Sequence, residues 1–139
     1  MVFELCQKED INAVTELDFH IPVFRLTECI ERGLVYVLRE KGETVGVLRY
    51  SLFWQTIPFL DHLYLKEDYR RIGCGTRMMR EWEKEMLRCG YKDVMLSTQE
   101  DEDAKFFYEK LGYVRVGGFY APKQDAEELI YSKKLESGI

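Results

Sequence analysis

The sequence is poor in metal ligands. It has two histidines, and its four cysteines, Cys6, Cys29, Cys74 and Cys89, form no Cys-x-x-Cys pair. Zinc sites are built from such clusters, so no metal is expected. The same spacing favours free thiols in a reducing cytoplasm over disulfides. No run of about 18 apolar residues occurs, so no membrane span is expected. The first ten residues lack the basic region and apolar core of a secretory signal. Positive charge is not in excess either. The net charge is −5, which argues against nucleic-acid binding, because phosphate contact needs a basic face. Mild acidity is compatible with a cationic or amine substrate.

What remains is an ordinary globular composition. Hydrophobic residues make up 46% of the 139 and charged residues 32%, enough for one core and too apolar for disorder. No linker, repeat or low-complexity stretch divides the chain, so residues 1–139 read as one domain.

The hydrophobic pattern predicts eleven elements. Phe3–Gln7 reads as a strand and Glu9–Leu17 as a helix. Pro22 opens a second helix, with Val23, Leu26, Thr27 and Ile30 on one face and Gly33 as its stop. Leu34–Arg39 and Thr44–Phe53 read as strands around a Lys41-Gly42-Glu43 turn. Phe59–Leu65, after Pro58, is a third strand of this group. Cys74–Cys89 is a helix with Met78, Met79, Trp82, Met86 and Leu87 inward and Glu81, Glu83, Lys84 and Glu85 outward. Asp93–Thr98 is a strand. Asp101–Leu111 is a helix with Ala104, Phe107, Tyr108 and Leu111 on one face. Val114–Tyr120 and Glu127–Lys134 are the last two strands. The order β-α-α-β-β-β-α-β-α-β-β implies mainly antiparallel pairing with one parallel crossover over residues 59–98.

Chemistry concentrates in two places. The strand ending at Leu65 leads through Arg70-Arg71-Ile72-Gly73-Cys74-Gly75-Thr76 straight into a helix. Glycines allow close backbone approach, and successive amides at a helix start attract anions. With Arg70, Arg71 and Arg77 beside it, the turn reads as a diphosphate site. A plain strand-to-helix connection fits equally well. It is not a P-loop, since Thr76 and Arg77 follow Gly75 where Lys-Ser/Thr would be needed. Nor is it a dinucleotide fingerprint, because Met78 stands where a third Gly or Ala belongs. The second place is Asp101–Tyr113, where Tyr108 lies on an amphipathic helix. A tyrosine there is ordinarily a packing residue. Well placed, its phenol can also donate a proton to a leaving thiolate.

Together the two stretches resemble the GNAT superfamily of N-acetyltransferases. Arg70, Gly73 and Gly75 match its Arg/Gln-x-x-Gly-x-Gly/Ala signature. Ala104, Tyr108, Lys110 and Gly112 match its second signature, with Tyr113 replacing Phe. The resemblance implies the GNAT α/β fold, a mixed, mostly antiparallel sheet flanked by helices. It implies acetyl transfer from acetyl-CoA to a primary amine by direct attack, with no covalent enzyme intermediate. It implies that Leu63 and Leu65 line pantetheine and that Arg70–Thr76 hold the pyrophosphate. Asp101, Ala104, Phe107, Tyr108 and Lys110 would complete the CoA contacts, and Tyr108 would protonate the sulfur.

Two departures from the family pattern stand out. Asp101 replaces the usual Asn, and as a helix N-cap it would do the same work. The usual glutamate base is missing, since its position on the third strand is Phe59 and Val94–Thr98 holds no acid. Asp61 is the first substitute, then His62, then a water chain. A structural or substrate-orienting role for Asp61 stands beside the catalytic one. Cys74 lies in the turn without an evident histidine partner, which disfavours a nucleophilic role. The acceptor pocket is expected from the segment 18–33 and the loops 54–58 and 119–126. Phe19, Phe24, Trp54, Phe119 and Tyr120 would line it, with Asp18 and Glu28 nearby, unless those aromatics are core. A homodimer through the final strands is compatible with this layout. Two other readings are an acyl-CoA-binding regulatory module without turnover and a non-enzymatic interaction domain.

Overall fold

A computed structural model describes residues 1–136. The chain forms β1 (Val2–Leu5), α1 (Ile11–Leu17), α2 (Val23–Glu31), β2 (Val35–Glu40), β3 (Glu43–Phe53), β4 (Ile57–Leu65), α3 (Cys74–Arg88), β5 (Asp93–Gln99), α4 (Ala104–Lys110), β6 (Val114–Phe119) and β7 (Glu128–Lys134), with short 3-10 turns at Lys8–Asp10 and Glu67–Tyr69. The expected order of elements is the observed one. The seven strands make a mixed sheet in the order β1-β2-β3-β4-β5-β7-β6. The β4–β5 pair is parallel, with Phe59 opposite Met95 and Leu60 opposite Leu96. The pairs β1–β2, β2–β3, β5–β7 and β6–β7 are antiparallel.

Two compact units can be described separately. One combines Met1–Ser51 with Asp61–Trp82. The other combines Leu52–Leu60 with the described residues from Glu83 onward. In the first, Lys41 and Gly42 both take positive φ and close the β2–β3 hairpin, where Glu40 pairs with Glu43. Val14, Leu17, Leu26 and Ile30 of the two helices bury against Val35, Val37 and Val47. Only Leu26 and Ile30 of the predicted α2 stripe are buried. Val23, in its first turn, is exposed, and the Thr27 hydroxyl instead donates to the Val23 carbonyl. Met78, Met79 and Trp82 of α3 are fully buried. Gly46 leaves room for them: a Cβ there would stand 2.8 Å from Leu65 Cδ2 and 3.2 Å from Met78.

In the second unit, three expectations are corrected. The strand expected to begin after Pro58 begins at Ile57, and Pro58 sits at its start, where a missing N–H is tolerated. The helix expected from Asp101 begins at Ala104. Three successive acids form a turn first, in which Glu102 N–H donates to Gln99 and Phe106 N–H to Asp103. Asp103 therefore occupies the N-cap, without a side-chain hydrogen bond, and Asp101 does not cap the helix. Glu83 was expected on the solvent face of α3 but is buried. It accepts hydrogen bonds from the Tyr113 hydroxyl at 2.7 Å and from Lys133 Nζ at 2.8 Å. Periodicity places it on the polar side of the stripe, but the groups that meet it there, Tyr113 just before β6 and Lys133 of β7, are distant in sequence.

Candidate functional site

The turn before α3 has the backbone of an anion cradle. Arg71 and Gly73 both take left-handed φ, +61° and +91°. For Arg71 this costs on the order of 1 kcal/mol, like that of Lys41 in the β2–β3 hairpin. Nothing lies within 4 Å of where a Gly73 Cβ would be, so that side of the turn is open. The first hydrogen bond of α3 runs from Arg77 N–H to the Gly73 carbonyl. The amides of Cys74, Gly75 and Thr76 thus have no acceptor within the helix, and its dipole adds to their pull on an anion.

The arginines around the turn divide their work. Arg70 braces the turn: its Nε donates to the Leu65 carbonyl at 2.8 Å, and its guanidinium lies over the Tyr64 ring at 4.9 Å. Arg77 donates to the Met1 carbonyl at 2.9 Å. Arg71 projects outward, next to an exposed Ile72. Cys74 is buried, with its thiol 3.7 Å from the Met1 sulfur. Leu65 also has a packing role over Gly46 and Met78, so what it offers a ligand is its main chain.

A polar cluster lies further back along β4, in the same unit, with Asp18 and Arg49 buried and Asp61 at its exposed edge, its side chain 27% accessible. Asp18, at the C-terminal cap of α1, has no solvent exposure. Arg49 of β3 donates to it through Nε at 2.6 Å, and the outer guanidinium nitrogen stands 3.8 Å from Asp61. His62 is 2.9 Å from the Leu17 carbonyl through Nε2, and 3.8 Å from Asp18. A neutral His62 that donates from Nε2 keeps its Nδ1 lone pair as a proton acceptor. Asp61 and His62 are consecutive, yet both meet the Asp18–Arg49 pair.

Burial moves these two groups towards each other. It raises the Asp61 carboxyl above the ordinary range, against the Ser51 hydroxyl and Arg49, which pull it down, while Asp18 adds to the rise. Burial lowers His62, against its bond to the Leu17 carbonyl and the Asp18 charge. A carboxylate of raised proton affinity is what a general base near neutral pH requires.

In the other unit, Tyr108 is buried on α4 among aromatic rings, with its centroid 5.1 Å from Phe107 and 6.0 Å from Tyr113. Burial, with a smaller contribution from Glu102, pushes its phenol well above the ordinary tyrosine range. The neighbouring buried tyrosines are tied off, Tyr113 to Glu83 and Tyr131 to Glu109, each at 2.7 Å. The Tyr108 hydroxyl has no hydrogen-bond partner among the described residues. Ala104 and Phe107 are half-buried beside it, while Asp101 and Lys110 are exposed.

A sequence profile described as the Acetyltransferase (GNAT) family matches residues 2–113. The chain belongs to the GNAT acetyltransferase family. Streptothricin acetyltransferase A of Bacillus subtilis (strain 168) is 27% identical over 113 aligned positions, in a match that covers 72% of this chain and 64% of that protein. The match thus spans under two thirds of that relative. Ard1 from Thermoplasma volcanium superposes with a TM-score of 0.87 at 17% identity, over 98% of each chain. The PaiA N-acetyltransferase from Thermoplasma acidophilum, solved in complex with coenzyme A, superposes at 0.78 with 19% identity, over 96% of this chain and 99% of that one. At such identities the structural likeness is one of fold.

Sequence reasoning singled out the turn, Asp61 and Tyr108 but not Arg49. Arg49 lies in an apolar strand of a GNAT domain, Val45–Phe53, and a lone charge inside such a run was the available signal. The aromatics named for the acceptor pocket are not core: Phe19, Phe24, Trp54, Phe119 and Tyr120 are all at least half exposed. Glu28 is exposed and pairs with Arg25, whereas Asp18 is wholly buried. Among the described residues no helix is long and apolar enough to cross a membrane.

Proposed function

We propose that this GNAT protein transfers the acetyl group of acetyl-CoA to a primary amine. The observation that carries the reading lies within one unit. A single stretch, Asp61–Thr76, joins a carboxylate of raised proton affinity to an open, strained anion cradle. In this reading the amides from Gly73 to Thr76 and the outward Arg71 hold the pyrophosphate. The main chain of Leu63–Leu65 runs beside pantetheine, and one of its amides polarises the thioester carbonyl. By the family signature, Asp101, Ala104, Phe107 and Lys110 are assigned to CoA contacts as well.

Asp61 takes a proton from the incoming ammonium. The freed nitrogen lone pair attacks the thioester carbon, the carbon–sulfur bond breaks with its electron pair going to sulfur, and the now cationic nitrogen gives its second proton to solvent. Tyr108 donates to that sulfur through its untied hydroxyl. Its raised proton affinity keeps the phenol in the donor form, and it also makes complete transfer to a thiolate uphill. Its contribution is therefore a hydrogen bond to the charge developing on sulfur. Solvent completes the protonation, and the reaction releases one proton overall. The likeness to streptothricin acetyltransferase A makes streptothricin one acceptor to try, beside a polyamine and a peptide with a free α-amino group.

Thermal shift tests the cofactor half of this reading. At about a hundredfold excess over its dissociation constant, acetyl-CoA should stabilise the native state by about 2.7 kcal/mol. Gly73→Asp should abolish the shift, because it sets a negative side chain on the open side of the cradle. A variant that folds and keeps the full shift would place the cofactor elsewhere.

A further inference from the structure

Buried ion pairs are poor stabilisers. Desolvation offsets most of their attraction, and apolar replacements of similar volume are often as stable or more so. The Asp18–Arg49 pair is nevertheless buried beneath Asp61. Its geometry is asymmetric. Two guanidinium nitrogens are turned to Asp18, at 2.6 and 3.5 Å, while the third stands 3.8 Å from Asp61, beyond hydrogen-bond distance. We propose that Arg49, clamped by Asp18, is a positioning residue for Asp61: it holds that carboxylate in place by its charge, from beyond hydrogen-bond distance and beside the Ser51 hydroxyl, and does not itself occupy the oxygen that takes the proton. This rests on the reading of Asp61 as the base.

Every element around Asp61 contributes to its surroundings. Arg49 and Ser51 come from β3, Asp18 from the end of α1, Cys29 from α2, and His62 from β4 itself. Arg49 acts on Asp61 more strongly than Asp18 does, and with opposite sign. The two members of the pair therefore make opposite predictions. Asp18→Asn removes the repelling charge and leaves Arg49 to Asp61 alone, so Asp61 should titrate at lower pH. Asp18→Asn combined with Arg49→Gln removes both charges without stranding either one, so Asp61 should titrate at higher pH.

The test is a pH titration of aspartate labelled with 13C at the side-chain carboxyl, followed by NMR. The Asp61 signal is identified by its loss in Asp61→Asn. Shifts of roughly threefold in proton affinity are expected, downward in the single variant and upward in the double. A general loosening of the fold would not move the midpoint in opposite directions. Should the double variant fail to fold, Asp18→Asn alone decides. A midpoint equal to wild type in the folded variant, or one moved upward in Asp18→Asn, overturns the proposal. The titration needs no acceptor, so it stands apart from turnover. If Asp61→Asn retains full turnover, Asp61 is not the base, whatever the midpoints show.

Discussion

The two residues assigned to proton transfer differ in how their surroundings treat them. Tyr108 is buried, with a hydroxyl that no protein group occupies, whereas Tyr113 and Tyr131 each spend theirs on a carboxylate. Tyr108→Phe removes that hydroxyl alone. Stability and the acetyl-CoA thermal shift should survive, and turnover should fall on the order of a hundredfold. A folded variant with at least half the wild-type turnover would remove Tyr108 from the chemistry. Asp61 carries a cost that its proposed role explains. Its carboxyl has a higher proton affinity folded than unfolded, so the folded state loses stability as pH rises from the unfolded value through the folded one. At neutral pH, Asp61→Asn should therefore melt at or above the wild-type temperature while turnover drops. The difference should shrink in acid, where the wild-type carboxyl is protonated. Melting curves between pH 4 and about 8 check this, and a variant markedly less stable at neutral pH would contradict it.

At the scale of elements, β4 and α3 carry the candidate site, and the sequence made much of these two elements legible. Glycine spacing and adjacent arginines marked the turn, and heptad-like apolar spacing marked α3. Two things were not legible. Glu83 reads as a surface charge because its partners, Tyr113 before β6 and Lys133 of β7, lie far along the chain. The start of α4 was misjudged because Asp101, Glu102 and Asp103 are all acceptable caps, and local pattern does not choose among them. Glu83 also yields a prediction. Glu83→Ala should cost about 1–3 kcal/mol, since it strands the Tyr113 hydroxyl and the Lys133 ammonium. Denaturant melts check the magnitude, and a neutral effect would mean that water satisfies both groups.

For the whole molecule, the order of elements and the mixed sheet followed from periodicity, and the family follows from residues 2–113. The Asp18–Arg49–Asp61 arrangement could not be read in advance. Its members are 31 residues apart from Asp18 to Arg49, and only the folded β3, β4 and α1 bring them together. The most direct test of the account is release of CoA thiol from acetyl-CoA, measured with each amine of the panel and without any amine. The account predicts release that depends on an amine, forms one N-acetylated product per thiol, and collapses in both Asp61→Asn and Tyr108→Phe while their acetyl-CoA thermal shifts persist. Acetyl-CoA binding with no amine-dependent release across a broad panel of primary amines would contradict it, and would mark the chain as an acyl-CoA-binding module without turnover.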